Sequence, residues 1–125
     1  MAETDYRPDF AKRGGLVPAV VQDAQTRAVL MLGWVNEEAW DRTLSSGKAT
    51  FWSTSRQTLW EKGSTSGDWL QIVEIRVDCD DDTVLYLVNP LGEGACHTKN
   101  ASGRARSSCF YRRLDSQGRL VNLDP

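Results

Sequence analysis

The residues best suited to chemistry lie between Asp78 and Cys109, a stretch that holds all three cysteines and the only histidine of the chain. Thiolates are soft ligands that suit zinc, whereas carboxylates suit hard cations such as magnesium. Three protein ligands leave one position open on tetrahedral zinc, which distinguishes a catalytic from a structural site. The candidate ligands are the thiols of Cys79, Cys96 and Cys109 and the carboxylates of Asp78, Asp80 and Asp82.

The acidic segment 78–82 has more than one interpretation. In extended backbone its three alternate aspartates lie on one side and Cys79 on the other, so neighbouring residues can serve two metal sites. The same D-x-D-x-D pattern opens an EF-hand loop, but Thr83 and Asn89 stand where that loop requires glycine and glutamate. An EF-hand is therefore excluded, and an acidic hairpin turn facing water is the alternative to a metal site.

The cysteines are far apart in the sequence and lack the C-x-x-C spacing of zinc ribbons, so a shared site depends on the fold. Free cysteines are also common as small buried apolar groups. His97 directly follows Cys96. In extended backbone it faces away from a metal held by Cys96 and is free to carry protons, whereas in a bent loop it becomes a fourth ligand and closes the site.

A second group of candidate residues lies in the segment 54–67, which combines hydroxyl groups, cationic side chains and glycines. Hydroxyls, guanidinium and ammonium groups, and backbone amides freed by glycine are the donors that hold phosphate. Surface loops are also rich in such residues because they favour turns and solvation. The candidate phosphate ligands are Arg56, Lys62, Thr65 and Ser66.

The elements that must position these residues are mainly strands. Apolar runs and alternation predict strands at 16–21, 29–34, 49–53, 70–77, 83–88 and 109–113, with a short last strand after Gln117-Gly118. Asn36 as N-cap and Gly47 at the end predict one main helix, Glu37 to Ser46. The acidic segment then forms a hairpin turn, and residues 99–107 form a basic loop. This pattern indicates a single α+β domain with a polar tail at residues 1–15.

Composition excludes several classes of function. The chain has 125 residues and a formal net charge of -2, with no long basic run, so nucleic-acid binding is not expected. No apolar run resembles a signal peptide or a membrane span, and we expect a cytoplasmic protein without membrane contact. In a reducing compartment an odd number of cysteines favours metal ligation over disulfides.

Five motifs follow one another along the chain: Trp52-Ser53-x-Ser55-Arg56, Leu59-Trp60-x-Lys62-Gly63-x-Thr65-Ser66-Gly67, Asp78-Cys79-Asp80-x-Asp82, Ala95-Cys96-His97-Thr98 and Ser108-Cys109-Phe110. Taken together and in this order, they resemble the phosphoribosyl-AMP cyclohydrolase family, which acts at the third step of histidine biosynthesis. Segments 15–22 and 30–36 are also similar, so the resemblance covers most of the chain after the tail.

The resemblance implies a catalytic domain over residues 16–125 and an intertwined homodimer with active sites at the interface. Zinc would be held by Cys79 of one subunit and by Cys96 and Cys109 of the other, with His97 near the reacting centre. Magnesium would be bound by the three aspartates of segment 78–82. The implied reaction is zinc-dependent hydrolytic opening of the adenine ring of 1-(5-phosphoribosyl)-AMP at the N1–C6 bond.

Two other classes of function remain as alternatives at this stage. One is a non-enzymatic, zinc-stabilised nucleotide-binding module, in which His97 closes a structural site together with the cysteines. The other is a zinc nucleobase deaminase, which uses the same activated water. The deaminase is disfavoured because the chain has no H-x-E motif paired with P-C-x-x-C.

Overall fold

The computed structural model describes residues 6–125, and it is organised around a four-stranded sheet with strand order β2-β1-β6-β5. Two separate two-stranded sheets, β3-β4 and β7-β8, complete the strands of this part of the chain. In chain order the elements are a 3-10 helix (Phe10–Arg13), β1 (Val17–Asp23), β2 (Val29–Val35), α1 (Glu37–Ser46), β3 (Thr50–Ser53), β4 (Thr58–Glu61), β5 (Leu70–Val77), β6 (Val84–Pro90), β7 (Arg112–Leu114) and β8 (Leu120–Asn122). The α+β class predicted from the sequence, strand-rich with one main helix, is confirmed.

The four-stranded sheet buries one face along alternate residues, as the pleat requires. In β1 the buried side chains are Val17, Ala19 and Val21, and β1 pairs antiparallel with β2 and parallel with β6. β6 lies between β1 and β5 in the sheet, and its side chains are mostly buried. The acidic segment therefore connects β5 to an interior strand, which holds one end of that turn rigidly.

The helix begins and ends at the residues predicted from the sequence. The side chain of Asn36 accepts a hydrogen bond of 2.8 Å from the Ala39 amide, and Gly47 ends the helix at φ 75°. Trp40 is buried against the core, so its predicted packing role is confirmed. Phe51 lies at the centre of this core, where a Cβ at residue 33 would approach its ring to 2.5 Å, so glycine is required there.

The sequence prediction was wrong at two strand boundaries. Thr58–Glu61 forms β4, although this segment was interpreted as part of a donor-rich loop, because Trp60 pairs with Phe51 across the β3-β4 hairpin. The predicted strand at 109–113 begins only at Arg112, because the Cys109 amide donates to the carbonyl of Leu30 in β2 at 2.7 Å. The predicted last strand is confirmed as β8.

The segment before β1 packs more closely than its polar composition indicates. Phe10 is buried in the core, and the Asp9 amide donates a hydrogen bond of 2.6 Å to the carbonyl of Asp81. The first five residues of the predicted tail lie outside the described residues. Within residues 6–125, no helix has the length and apolar character needed to cross a membrane.

Candidate active site

A cleft of about 520 Å³ joins residues that the sequence predicted as two separate groups. Its walls come from the β3-β4 hairpin, the loop after β4, and the segment around Cys96 and His97. All four candidate phosphate ligands lie in this cleft beside that cysteine and histidine. These lining residues are Arg56, Lys62, Thr65, Ser66, Cys96 and His97.

Lys62 is the most buried cation of the cleft, with 6% of its surface exposed. Its amide is held by the carbonyl of Ala49 at 3.3 Å, and Gly63 turns the chain directly after it at φ 98°. In the part of the chain that the structure describes, no carboxylate forms an ion pair with Lys62. A buried ammonium without a counterion is costly, so the cleft favours an anionic ligand at this position.

The other three phosphate candidates are exposed at the mouth of the cleft. The backbone amide of Arg56 donates a hydrogen bond of 3.2 Å to the hydroxyl of Ser53. Thr65 and Ser66 lie in a turn closed by a 2.8 Å hydrogen bond from the Gly67 amide to the Gly63 carbonyl. A buried cation with exposed donors around it matches the chemistry of phosphate recognition.

Cys96, which lines the cleft, contacts the exposed Cys109, although 12 residues separate them in the sequence. The chain returns through a hairpin in which the Cys96 amide donates to the carbonyl of Arg106 at 3.0 Å. Gly94 permits this approach, because a Cβ there would overlap the carbonyl oxygens of Ala105 and Arg106. The predicted basic loop 99–107 is therefore the hydrogen-bonded turn that brings the two sulfurs together.

The two thiols interact with each other and titrate differently. Burial opposes ionisation of Cys96, but hydrogen bonds from the Thr98 hydroxyl and amide, a contact with Cys109 and the charge of Arg106 hold its pKa below the usual value. Burial, followed by the negative charge of Cys96 and their hydrogen bond, raises the pKa of Cys109 to about 11. The pair therefore presents one sulfur disposed to be a thiolate, the form that binds metals.

In the part of this chain that the structure describes, Cys79 does not form a group of ligand atoms with the other two cysteines. It is exposed in the acidic turn between β5 and β6. Among residues 6–125, the only three Cys, His, Asp or Glu side chains whose ligand atoms all lie within 4.8 Å of one another are Asp78, Asp80 and Asp82. A single chain therefore supplies two sulfurs at one place and the third at another.

His97 is exposed in the cleft, whereas the adjacent Cys96 is buried. The backbone bends at His97 and Thr98, so the extended geometry considered from the sequence is not the observed one. No described group of three ligand side chains includes His97. Its position is suited to contact with a molecule bound in the cleft.

The aspartates of segment 78–82 come together through a turn and not through extended backbone, so the predicted extended geometry was wrong. Asp78 accepts hydrogen bonds from the amides of Asp82 at 3.0 Å and Thr83 at 3.2 Å. Asp81 adopts the left-handed conformation at φ 60°. This local folding turns the carboxylates of alternate aspartates towards one another, which is a ligand set for a hard cation.

The acidic turn is covered by the segment before β1, which the sequence interpretation did not place in the site. Arg13 contacts the Asp82 carboxylate at 3.0 Å and Lys12 contacts it at 3.5 Å. Burial opposes the charge of Asp82, but hydrogen bonds with Asp78 and Arg13 and the charge of Lys12 lower its pKa. The sequence signal that could have indicated this contact is the pair of adjacent cations at positions 12 and 13, because the rest of this segment has few basic residues.

A cleft lined by cationic and hydroxyl side chains, with a cysteine and an exposed imidazole in its wall, is the arrangement expected of a small α+β enzyme that acts on a phosphorylated substrate. Comparison with known proteins gives the family. The family model for phosphoribosyl-AMP cyclohydrolase matches residues 31–111. The chain belongs to the phosphoribosyl-AMP cyclohydrolase family, and it is an enzyme.

Relatives with this name match nearly the whole chain. The phosphoribosyl-AMP cyclohydrolase of Desulfatibacillum aliphaticivorans is 50% identical over 117 residues, covering 94% of this chain and 89% of the relative. That of Oleidesulfovibrio alaskensis is 52% identical over 110 residues, covering 88% and 80%. That of Hyphomonas neptunium is 50% identical over 111 residues, covering 89% and 79%. The resemblance found in the sequence motifs is thereby confirmed.

Proposed function

We propose that this enzyme catalyses the zinc-dependent hydrolytic opening of the adenine ring of 1-(5-phosphoribosyl)-AMP at the N1–C6 bond. The reaction is the third step of histidine biosynthesis and would take place in the cytoplasm, where free thiols persist. The observation that carries the proposal is the single cleft in which phosphate donors, His97 and Cys96 lie together. Membership of the family supports the identity of the nucleotide.

The cleft is suited to a substrate with two phosphate groups. Lys62 offers a buried positive charge without a described counterion, and Arg56 offers a guanidinium that can bind phosphate through two parallel hydrogen bonds. The hydroxyls of Thr65 and Ser66 add neutral donors. These groups would hold the phosphates and so orient the base towards His97 and the two sulfurs.

The two adjacent sulfurs of the cleft fit zinc, because thiolates are its preferred soft ligands and Cys96 is already disposed to ionise. Two sulfurs do not complete a site. We propose that Cys79 of the partner subunit supplies the third ligand and leaves one position open. When bound there, zinc would supply hydroxide at neutral pH by lowering the pKa of a water molecule from about 15.7 to about 7.

An apolar surface on the main sheet supports a homodimer. The strand register aligns Leu32, Val20 and Leu85 in one row across β2, β1 and β6, and Trp34 lies beside Pro18 on the same strands. Leu32 is 47% exposed and Trp34 is 40% exposed. Large exposed apolar groups in a row are typical of protein interfaces.

This apolar row also reaches the acidic turn. Val20 and Leu85 line a shallow cavity of about 380 Å³ together with Asp78, the residue before Cys79. A second copy that covers the row by two-fold symmetry would therefore bring each acidic turn close to the other subunit. Such a dimer would allow the exposed Cys79 to meet the sulfur pair of its partner.

His97 is the proposed acid–base residue. Water adds its oxygen to C6 of the adenine ring, the N1–C6 bond then breaks, and its electron pair remains on N1. His97 accepts a proton from the attacking water and returns one to N1, which yields a carboxamide at C6 and an amidine at N1. His97 is an exposed side chain in the wall of the cleft, where its imidazole can contact a bound substrate.

The carboxylates of Asp78, Asp80 and Asp82 are the proposed magnesium ligands, because their oxygens are hard donors gathered within 4.8 Å. They would hold the ion near the interface, where it could shield a substrate phosphate. Lys12 and Arg13 already neutralise part of this charge. Magnesium would therefore have to compete with two side chains of the same subunit.

The direct test is ultraviolet monitoring of ring opening on phosphoribosyl-AMP, with metal analysis of the same sample. The proposal predicts turnover, about one zinc per subunit, and loss of turnover on chelation that added zinc restores. A protein that binds nucleotides without converting them and unfolds on chelation would instead be a zinc-stabilised module. Release of ammonia would indicate a deaminase and contradict the assignment.

A further inference from the structure

Besides its contact with Cys109, the sulfur of Cys96 has two hydrogen bonds with Thr98. The Thr98 hydroxyl oxygen lies 2.8 Å from the sulfur, and the Thr98 amide donates to it at 3.4 Å. Thr98 therefore holds the sulfur in one position.

Arg106 determines the direction of the hydroxyl hydrogen bond. Its Nη1 donates to the Thr98 hydroxyl oxygen at 3.0 Å. A guanidinium is only a donor, so the hydroxyl acts as acceptor towards Arg106 and keeps its own hydrogen for another partner. A cysteine that binds a metal has lost its proton, so the 2.8 Å contact is then a donation from the Thr98 hydroxyl to the Cys96 sulfur.

Arg106 is itself fixed on several sides. Its Nε donates to the carbonyl of Asp124 at 2.8 Å, and its guanidinium stacks 4.1 Å from the ring centre of Tyr111. Its backbone pairs with the opposite arm of the hairpin, donating to the Thr98 carbonyl and accepting from the Cys96 amide, each at 3.0 Å. The side chain is therefore held in place before any ligand binds.

We infer that Thr98 and Arg106 are positioning residues for Cys96, and that this hydrogen-bond chain raises the affinity of the sulfur pair for zinc. The inference rests on the proposed zinc function and deepens it. Outer groups that hydrogen-bond to metal ligands orient them and modify their strength as donors. Here the guanidinium of Arg106 polarises the Thr98 hydroxyl and so strengthens the hydrogen bond of that hydroxyl to the sulfur. Because the guanidinium is engaged in these contacts, it is not available to bind phosphate.

The test compares Thr98→Val with Thr98→Ser in the whole 125-residue chain, in the assembly in which it purifies. Valine has the shape of threonine but no hydroxyl, whereas serine keeps the donor. We expect Thr98→Val to weaken zinc binding about 10- to 100-fold in competition with a chromophoric chelator, and Thr98→Ser to restore it to within about threefold. Cobalt-substituted protein should show a shifted sulfur-to-cobalt charge-transfer band in the valine variant only.

Arg106→Gln should weaken zinc binding in the same direction, and Arg104→Gln is the matched control. Arg104 belongs to the same hairpin, but its described hydrogen bonds involve only its backbone. Circular dichroism melting of the zinc-free proteins separates loss of folding from loss of affinity. If Arg104→Gln and Arg106→Gln weaken zinc equally, the effect is a general one of charge and the inference is overturned.

Cys96→Ser in the same titration separates the two levels of the proposal. If zinc binding does not depend on Cys96, the proposed zinc site itself is wrong. If binding depends on Cys96 but Thr98→Val binds zinc as tightly as the unmodified protein and leaves the cobalt band unchanged, only the positioning role is overturned.

Discussion

The cleft and the acidic turn differ in how their charges are matched. In the cleft Lys62 is buried without a described ion pair, and Arg56 is exposed beside it. In the acidic turn Asp82 is only 4% exposed, yet two cations of the same chain contact it. The cleft therefore has positive charge that no described carboxylate neutralises, whereas the negative charge of the acidic turn is partly neutralised by cations of the same chain.

This difference indicates how each region responds to its ligand. An anion that enters the cleft removes the cost of a buried unpaired charge, so binding there should be strong. A cation at the acidic turn must first replace Lys12 and Arg13, so its net gain is smaller. Changes in the cleft should therefore alter catalysis strongly, and changes around the acidic turn should act mildly.

The largest effect is expected for His97→Ala. Loss of acid–base catalysis should lower kcat about 10²- to 10⁴-fold, while the zinc content stays unchanged. Steady-state ultraviolet assays and metal analysis of one preparation measure both quantities. A variant that loses its zinc would show that His97 is a ligand and would remove the cleft's assigned proton carrier.

Lys62→Met should act mainly through substrate binding. Methionine keeps the buried aliphatic stem, but removal of the charge should raise KM about 10- to 100-fold, because a charge-assisted hydrogen bond contributes about 1.5–3 kcal/mol. Lys48→Met is the control, since Lys48 lies 4.3 Å from the ring centre of Trp69 and does not line the cleft. Equal KM changes in the two variants would contradict the contrast between the regions.

Arg13→Ala should make magnesium bind more tightly, by about 2- to 5-fold, because an ion pair whose cation is half exposed contributes about 1 kcal/mol or less. Isothermal titration with magnesium chloride measures the change. Arg7→Ala removes the same charge but its described ion pairs are with Glu37 and Asp41, so it should have little effect. Weaker magnesium binding in Arg13→Ala would show that the guanidinium does not compete with the cation.

The smallest effect concerns Tyr6, which donates a 2.7 Å hydrogen bond to Asp81. Burial, this hydrogen bond and the neighbouring carboxylates raise the pKa of Tyr6 from 10.0 to about 12. Because the folded pKa is the higher one, the contact stabilises the covering segment below about pH 10 and is lost as pH rises to about 12. A difference titration of tyrosinate absorbance against Tyr6→Phe should show this late step; a midpoint at the ordinary value would contradict it.

The elements that sequence patterns predicted correctly depend on local interactions. The helix is determined by Asn36 at its start and Gly47 at its end, and β1 and β2 by short apolar runs around a turn. The prediction was wrong where a distant residue decides the conformation. The amide of Cys109 donates a hydrogen bond to the carbonyl of Leu30 in β2, and β7 therefore begins further along the chain than predicted.

Residue types identified the candidate site, but its arrangement required the fold. In the sequence Lys62 was only one of four phosphate candidates, with arginine preferred for contact through two hydrogen bonds, because nothing local shows that the lysine is buried. The meeting of Cys96 with Cys109 depends on Gly94 and on a hairpin of long-range hydrogen bonds. The contacts of Lys12 and Arg13 with the acidic turn cross about half the chain, beyond the range of any periodic pattern.

The two regions would become one active site only if Cys79 of one subunit joins the sulfur pair of the other. Cys79→Ser and Cys96→Ser should each abolish turnover alone. Mixed by denaturation and joint refolding, they should regain about a quarter of the active sites, because half of the dimers combine both variants and each of these keeps one complete site. Zinc content should recover in the same proportion. A mixture that stays inactive while both variants form mixed dimers would show that each site draws its cysteines from a single subunit.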